Sequence, residues 1–223
     1  MKITSRILLP ALCLALSGLT VTAADELVPL KPALPEPAFV GTPKEGPPGT
    51  KDVESGKLAK PLMIPKDAVN IAPKATLSTS DAKASPRSLT KITDGDKEAR
   101  ESSVVLLRKG PQYLQFDFGK PFELYAIVIW HAHDSAKVYH SVVAQVADDA
   151  EFTKNVRTLF NNDKANADGV GAGTDREYFE TNEGKTIDAK GEKAQFVRLY
   201  SKGSTESALN EYTEVEIYGR PPK

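Results

Sequence analysis

Short apolar segments, separated by turn residues, recur along the chain from residue 75 to its end. "YLQFDFG" (113–119) alternates apolar and polar positions, which indicates a strand with one buried face. "ELYAIVIW" (123–130) is almost continuously apolar, as is typical of a strand covered on both faces. The same criteria add three further strands, at "HSVVAQVADD" (140–149), "AQFVRLYS" (194–201) and "YTEVEIYG" (212–219). We therefore predict an all-β domain over residues 75–220, an antiparallel β-sandwich, and expect no helix in it other than a short turn near "DAEFTKN" (149–155).

The preceding segment, residues 25–74, is dominated by proline. Each proline fixes φ and removes a backbone donor, so neither a helix nor a central strand can continue through the segment. The first interpretation is an extended, polyproline-like spacer that rises about 3.1 Å per residue. The rival interpretation is a strap on the folded domain, because the segment contains apolar side chains that could pack against it: Phe39, Val40, Leu62, Met63 and Ile64.

Residues 1–24 have the pattern of a cleaved signal peptide. Lys2 and Arg6 precede an apolar run, and small residues lead to Ala23 and Ala24. The apolar run is too short to span a bilayer comfortably. We predict an exported protein located in the periplasm, on the cell surface or in the medium, with no membrane insertion after cleavage.

Cleavage changes the composition in two ways that exclude several classes of function. It removes Cys13, the single cysteine, and with it disulfides, thiolate metal sites and cysteine nucleophiles. It also removes two of the 29 basic residues, so that 27 remain against 30 acidic ones. This balance argues against nucleic acid or an anionic membrane as the partner. No motif pairs a nucleophile with a base, so we do not expect an enzyme.

Five segments, taken in order, resemble the discoidin family, also called the coagulation factor V/VIII type C (F5/8 type C) domain. They are "KITDGD" (91–96), "LQFDFGKPFELYAIVIW" (114–130), "VVAQVADD" (142–149), "QFVRLYS" (195–201) and "YTEVEIYG" (212–219). The resemblance covers roughly residues 75–220. It implies a galactose-binding-like jelly roll and a non-catalytic module that binds a glycan or another extracytoplasmic ligand.

The loop "KITDGD" is a candidate calcium site. Asp94 and Asp96 flank a glycine, and carboxylate oxygens are the ligands that Ca²⁺ prefers. The resemblance implies a structural Ca²⁺ with this ligand set: the Lys91 carbonyl, Asp94, Asp96 and Glu214. Ala99 stands where the family commonly has a threonine ligand, which puts one ligand in doubt. The alternative is an ordinary Asx-Gly turn.

All three histidines of the chain fall within "WHAHDSAKVYH" (130–140). His131 and His133 share a face if this stretch is a strand. A four-residue hairpin loop at 134–137 would bring His140 beside His131, and three imidazoles could then bind Zn²⁺ or Cu²⁺. If the two segments belong to different sheets, the loop length does not determine whether His140 lies beside His131.

The same stretch is also a candidate ligand-binding rim, because aromatic faces stack on sugars and imidazoles bond to hydroxyls. The predicted ligand-binding set is Trp130, His131, His133, Tyr139, His140 and Asn210. The alternative is a structural polar cluster with Trp130 in the core. Residues 160–184, rich in Asn, Asp and Gly, predict a long surface loop of the kind that often forms binding rims. Three functions remain open: glycan binding, transition-metal binding, and protein contacts in an envelope or matrix.

Overall fold

The structure is a computed structural model that describes residues 25–50, 52–54 and 60–223; the predicted signal peptide lies outside them. Within these residues it is an antiparallel β-sandwich, so the predicted fold class is confirmed. The strands are β1 (Leu27–Pro29), β2 (Met63–Pro65), β3 (Val69–Asn70), β4 (Thr76–Thr79), β5 (Val105–Leu107), β6 (Gln112–His131), β7 (Val143–Ala147), β8 (Arg157–Asn161), β9 (Lys185–Ser201) and β10 (Asn210–Arg220).

The expectation of no helix in residues 75–220 is wrong at two short, adjoining turns. A single turn of α-helix, α1 (Pro86–Leu89), begins with a proline at its first position, where the missing N–H costs nothing. It runs into a 3₁₀ turn at Thr90–Thr93, and another 3₁₀ turn spans Ala72–Lys74. These turns are too short to show a helical period in the sequence. No helix among the described residues is long and apolar enough to cross a membrane.

Two long strands, β6 and β9, build both layers of the sandwich. The first part of β6 pairs with β4 on one side and with the end of β9 on the other. A register shift between Asp117 and Phe122 follows, at Gly119 with φ of 71°. Beyond this bend, β6 pairs with the start of β9 and with β10. β7 and β8 extend one layer beyond β9, while β3 and β5 pair with β10 in the other.

One core lies between the layers, and a second, smaller core lies outside them. Leu114 and Phe116 from the first part of β6 share the main core with Ile127 and Ile129 from its second part. The alternate residues of that second part point outward and join the smaller core, which consists of Ala126, Val128, Trp130, Leu30 and Ile64. The run 123–130 is therefore buried on both faces, as its continuous apolar character predicts.

The second core shows where the proline-rich segment lies. Its described residues between 25 and 68, called the strap below, rest on the outer face of the sheet, and β1 pairs with β2 within it. The buried Arg220 side chain fixes the strap by ion pairs of 2.6 Å to Asp25 and 2.8 Å to Asp67. Beyond the strap, β3 begins at Val69, ahead of residue 75. Within the described residues, Leu30 and Ile64 of the strap cover the outward side of β6.

Candidate functional site

The three histidines do not converge. β6 ends at His131, which pairs with Tyr212 of β10, so the chain from 131 to 140 is not a hairpin. His131 Nδ1 lies 2.9 Å from Glu180, and His133 Nε2 lies 2.8 Å from the Lys97 carbonyl. His140 Nδ1 lies 3.2 Å from a third partner, Glu177. In the described part of the chain, no group of three or more His, Cys, Asp or Glu side chains could hold a metal. The geometry therefore does not favour the Zn²⁺ or Cu²⁺ alternative.

The predicted ligand-binding side chains lie in the interior. Five are at most 1% exposed: Trp130, His131, His133, Tyr139 and Asn210. The His131 ring stacks on Tyr139 at 4.2 Å, and the Asn210 amide donates to the carbonyls of Arg108 and Gly110. Only His140 is partly exposed, at 31% of its side chain. A ligand on the surface does not reach the other five, each of which has a hydrogen-bond partner within the protein.

The structure instead shows a cleft between the strap and the segment 178–188. Its volume is about 750 Å³, which lies within the range of small-molecule sites. The strap contributes mainly apolar side chains, including Leu30, Leu34, Pro37, Phe39 and Leu62. The opposite wall is more polar and includes Tyr178, Thr181, Asn182, Glu183, Lys185, Thr186 and Asp188. This site, called the strap cleft below, combines aromatic and hydrogen-bonding groups.

Trp130 supports the cleft from beneath instead of lining it. Its Nε1 donates to the Asn182 carbonyl at 2.9 Å, and the Asn182 side-chain amide donates to the Pro35 carbonyl at 3.0 Å. Gly184 has a φ of +67°, and a Cβ there would lie 2.7 Å from the indole. The backbone can approach the ring this closely only because Gly184 has no side chain. The indole therefore positions the wall that bonds to the strap.

The charges around the strap cleft balance. Three lysines and three acids line it: Lys31, Lys60, Lys185, Glu54, Glu183 and Asp188. Lys185 Nζ lies 3.1 Å from Glu54 of the strap and 4.7 Å from the centre of the Tyr178 ring. This ion pair ties the strap to the start of β9 and fixes the ammonium against an aromatic wall.

The predicted calcium loop closes on itself through hydrogen bonds. Asp94 Oδ1 accepts from the Asp96 amide at 2.9 Å. The two Asp96 oxygens accept from the Glu98 amide at 3.1 Å and from Ser103 Oγ at 2.7 Å. The bond from Ser103 is the main reason that the pKa of Asp96 lies below its ordinary value. The Lys91 ammonium donates to the Ser102 carbonyl at 2.6 Å. Hydrogen bonds between groups of residues 91–103 therefore hold the loop in place.

Glu214 lies beneath this loop on β10 and is 1% exposed. Both of its oxygens are 3.2 Å from the Gly95 amide. Burial raises the pKa of Glu214 to about 8, and the nearby Asp94 and Glu216 add to this, although the Gly95 bond and Lys97 oppose it. Burial therefore favours the protonated form of Glu214.

Ca²⁺ takes six to eight oxygen ligands, mostly carboxylates and carbonyls. In the described part of the chain, Asp94, Asp96 and Glu214 do not converge as a group of side chains that could hold a metal. Both Asp96 oxygens accept bonds from the chain, and Ala99 has no side-chain oxygen. Calcium stays a prediction of the resemblance.

No family model matches the sequence, and no curated protein matches it. Solved structures with a similar arrangement include chitosan-binding module 1 of a chitosanase/glucanase from Paenibacillus sp. IK-5. Its sequence identity to this chain is 17% and the TM-score is 0.48, and the match covers 68% of this chain and 99% of that one. The CBM32 of AlyQ, in complex with 4,5-unsaturated mannuronic acid, has 16% identity and a TM-score of 0.45 over 63% and 92%. A family 89 glycoside hydrolase from Clostridium perfringens has 14% identity and a TM-score of 0.48 over 67% of this chain, which spans only 14% of the hydrolase. The fold is assigned from the strand pairing of the chain itself.

Proposed function

We propose that this chain is a non-catalytic, extracytoplasmic glycan-binding module whose ligand lies in the strap cleft. The observation that carries the proposal is the composition of the cleft, which places aromatic and apolar groups opposite hydroxyl, amide and carboxylate groups. Sugars present both kinds of surface, since their ring faces are apolar and their edges carry hydroxyls. The resemblance to the discoidin family and the predicted signal peptide agree with this function.

The two walls have separate roles in this proposal. Phe39, which is only half-buried, offers a ring on the strap side for stacking against a sugar face. On the opposite wall, the exposed Glu183, Thr186 and Asp188 offer hydrogen-bond partners for sugar hydroxyls. The balanced lining charge favours a neutral glycan over a strongly acidic one, because neither sign of charge dominates the field in the cleft.

A glycan array probed with the mature chain, followed by calorimetric titration of the strongest binder, tests the proposal. Phe39→Ala is expected to weaken binding at least about tenfold, because it removes an aromatic contact. Val40→Ala is the matched control, since Val40 is the next residue and is 99% exposed. The proposal fails if the wild-type chain binds no glycan. It also fails if His140→Ala abolishes binding while Phe39→Ala does not affect it.

A further inference from the structure

Lys97 is a buried lysine within the loop that resembles a calcium site. The residue is 7% exposed, and lysine is almost never buried unless it is paired. Its Nζ lies 2.7 Å from Glu216 Oε1 and 4.8 Å from the centre of the Trp130 ring. Its carbonyl accepts a hydrogen bond from His133 Nε2 at 2.8 Å. Lys97 therefore joins the loop to β10 through its ammonium and to the chain after β6 through its carbonyl.

The ammonium faces two carboxyl groups of β10. Glu214 and Glu216 are two positions apart in the strand and so share a face. Glu216 pairs with Lys97 directly, and the Lys97 charge also acts on Glu214. Both acids are buried, at 1% and 8% exposure, so water does little to stabilise a charge on either of them. The Lys97 ammonium supplies the cation that a charged Glu216 needs at this position.

A metal ion beside this ammonium would be unfavourable. Two positive groups a few ångströms apart repel each other, and the repulsion is stronger in a buried site than in water. The acidic side chains that would offset it do not converge, since Asp94, Asp96 and Glu214 form no metal-binding group in the described part of the chain and the Asp96 oxygens accept bonds from Ser103 and from the Glu98 amide. Ala99 offers no side-chain oxygen at all.

We propose that the Lys97 ammonium takes the place of the calcium ion that the resemblance implies, and that it is the cation joining the 91–97 loop to β10. The loop then needs no metal for its structure. This inference does not depend on glycan binding.

The test compares the unfolding of the mature chain in chelator and in excess Ca²⁺, for the wild type and two lysine variants. The wild-type midpoint is expected to be the same in both buffers. Lys97→Met leaves Glu216 buried without its partner, so the folding equilibrium constant is expected to fall about a hundredfold or more. Lys109→Met is the matched control, because Lys109 is an exposed lysine outside the loop, and less than about a threefold change is expected.

Two results would overturn the inference. One is stoichiometric Ca²⁺ binding by the wild type in calorimetric titration, together with a higher unfolding midpoint in Ca²⁺ than in chelator. The other is a Lys97→Met protein as stable as the Lys109→Met control. If Lys97→Met does not fold, the wild-type titration decides alone, since absence of Ca²⁺ binding supports the inference and stoichiometric binding contradicts it.

Discussion

Replacing Glu214 by Gln is predicted to change how the stability of the protein depends on pH. In the unfolded chain this carboxyl has an ordinary pKa of 4.5, whereas burial raises its pKa to about 8 in the folded protein. Between these values the folded state holds a proton that the unfolded state has lost. Wild-type stability therefore falls as pH rises through this window and levels off above about pH 8. The contribution of this group is fully present below pH 4.5.

The size of the effect follows from the two pKa values. Across the window, the stability falls by about 1.4 kcal/mol per pH unit, on the order of 5 kcal/mol in total. Glutamine has nearly the same shape, still accepts from the Gly95 amide and does not titrate. Glu214→Gln is therefore expected to match the wild type near pH 4.5 and to be more stable than it by several kcal/mol at pH 8.

Urea unfolding at a series of pH values between 4.5 and 8.5, in the presence of chelator, measures this difference directly. Glu101→Gln is the control, because Glu101 is an exposed acid of the neighbouring segment, and its curve is expected to follow the wild type. If Glu214→Gln and the wild type lose stability in parallel across the range, the account of a buried, protonated Glu214 is refuted.

Three further variants test the attachment of the strap and the cleft wall. Arg220→Ala removes the ion pairs that hold the strap, and limited proteolysis of the strap is expected to be about tenfold faster or more. Ile64→Ala leaves a cavity between the strap and β6, with an expected loss of about 2–4 kcal/mol in urea unfolding. Gly184→Ala places a Cβ against Trp130 at a residue with positive φ. The free energy of unfolding is expected to fall by about 2–4 kcal/mol in the same assay. An unchanged unfolding midpoint would contradict the close packing.

The strands could be predicted from the sequence because their pattern reflects local geometry. The alternation at 113–119 indicates a strand with one buried face. The continuous apolar run at 123–130 indicates a strand with both faces buried. The strap could not be predicted in the same way. Ten prolines favoured a spacer over a strap. The packing on β6 depends on two side chains, Leu30 and Ile64, whose partners lie far along the chain.

The site was harder to predict because it depends on pairing between distant segments. The histidines are neighbours in sequence, yet His131 pairs with Glu180, 49 positions away, and His133 with the Lys97 carbonyl. The strap cleft joins two segments more than a hundred positions apart. Lys97 has no sequence signal of burial, since a lysine in a charged loop normally faces water. The long loop predicted at 160–184 gave the nearest indication of where the strap cleft lies, because its last residues form part of one wall of the cleft.

A crystal structure of the complex with a glycan shows whether the strap cleft is the binding site. We expect the glycan in the strap cleft, with a sugar face against Phe39 and hydroxyls bonded to Glu183 or Asp188. A glycan bound at the His140 end of the sandwich, with the strap cleft empty, would contradict it.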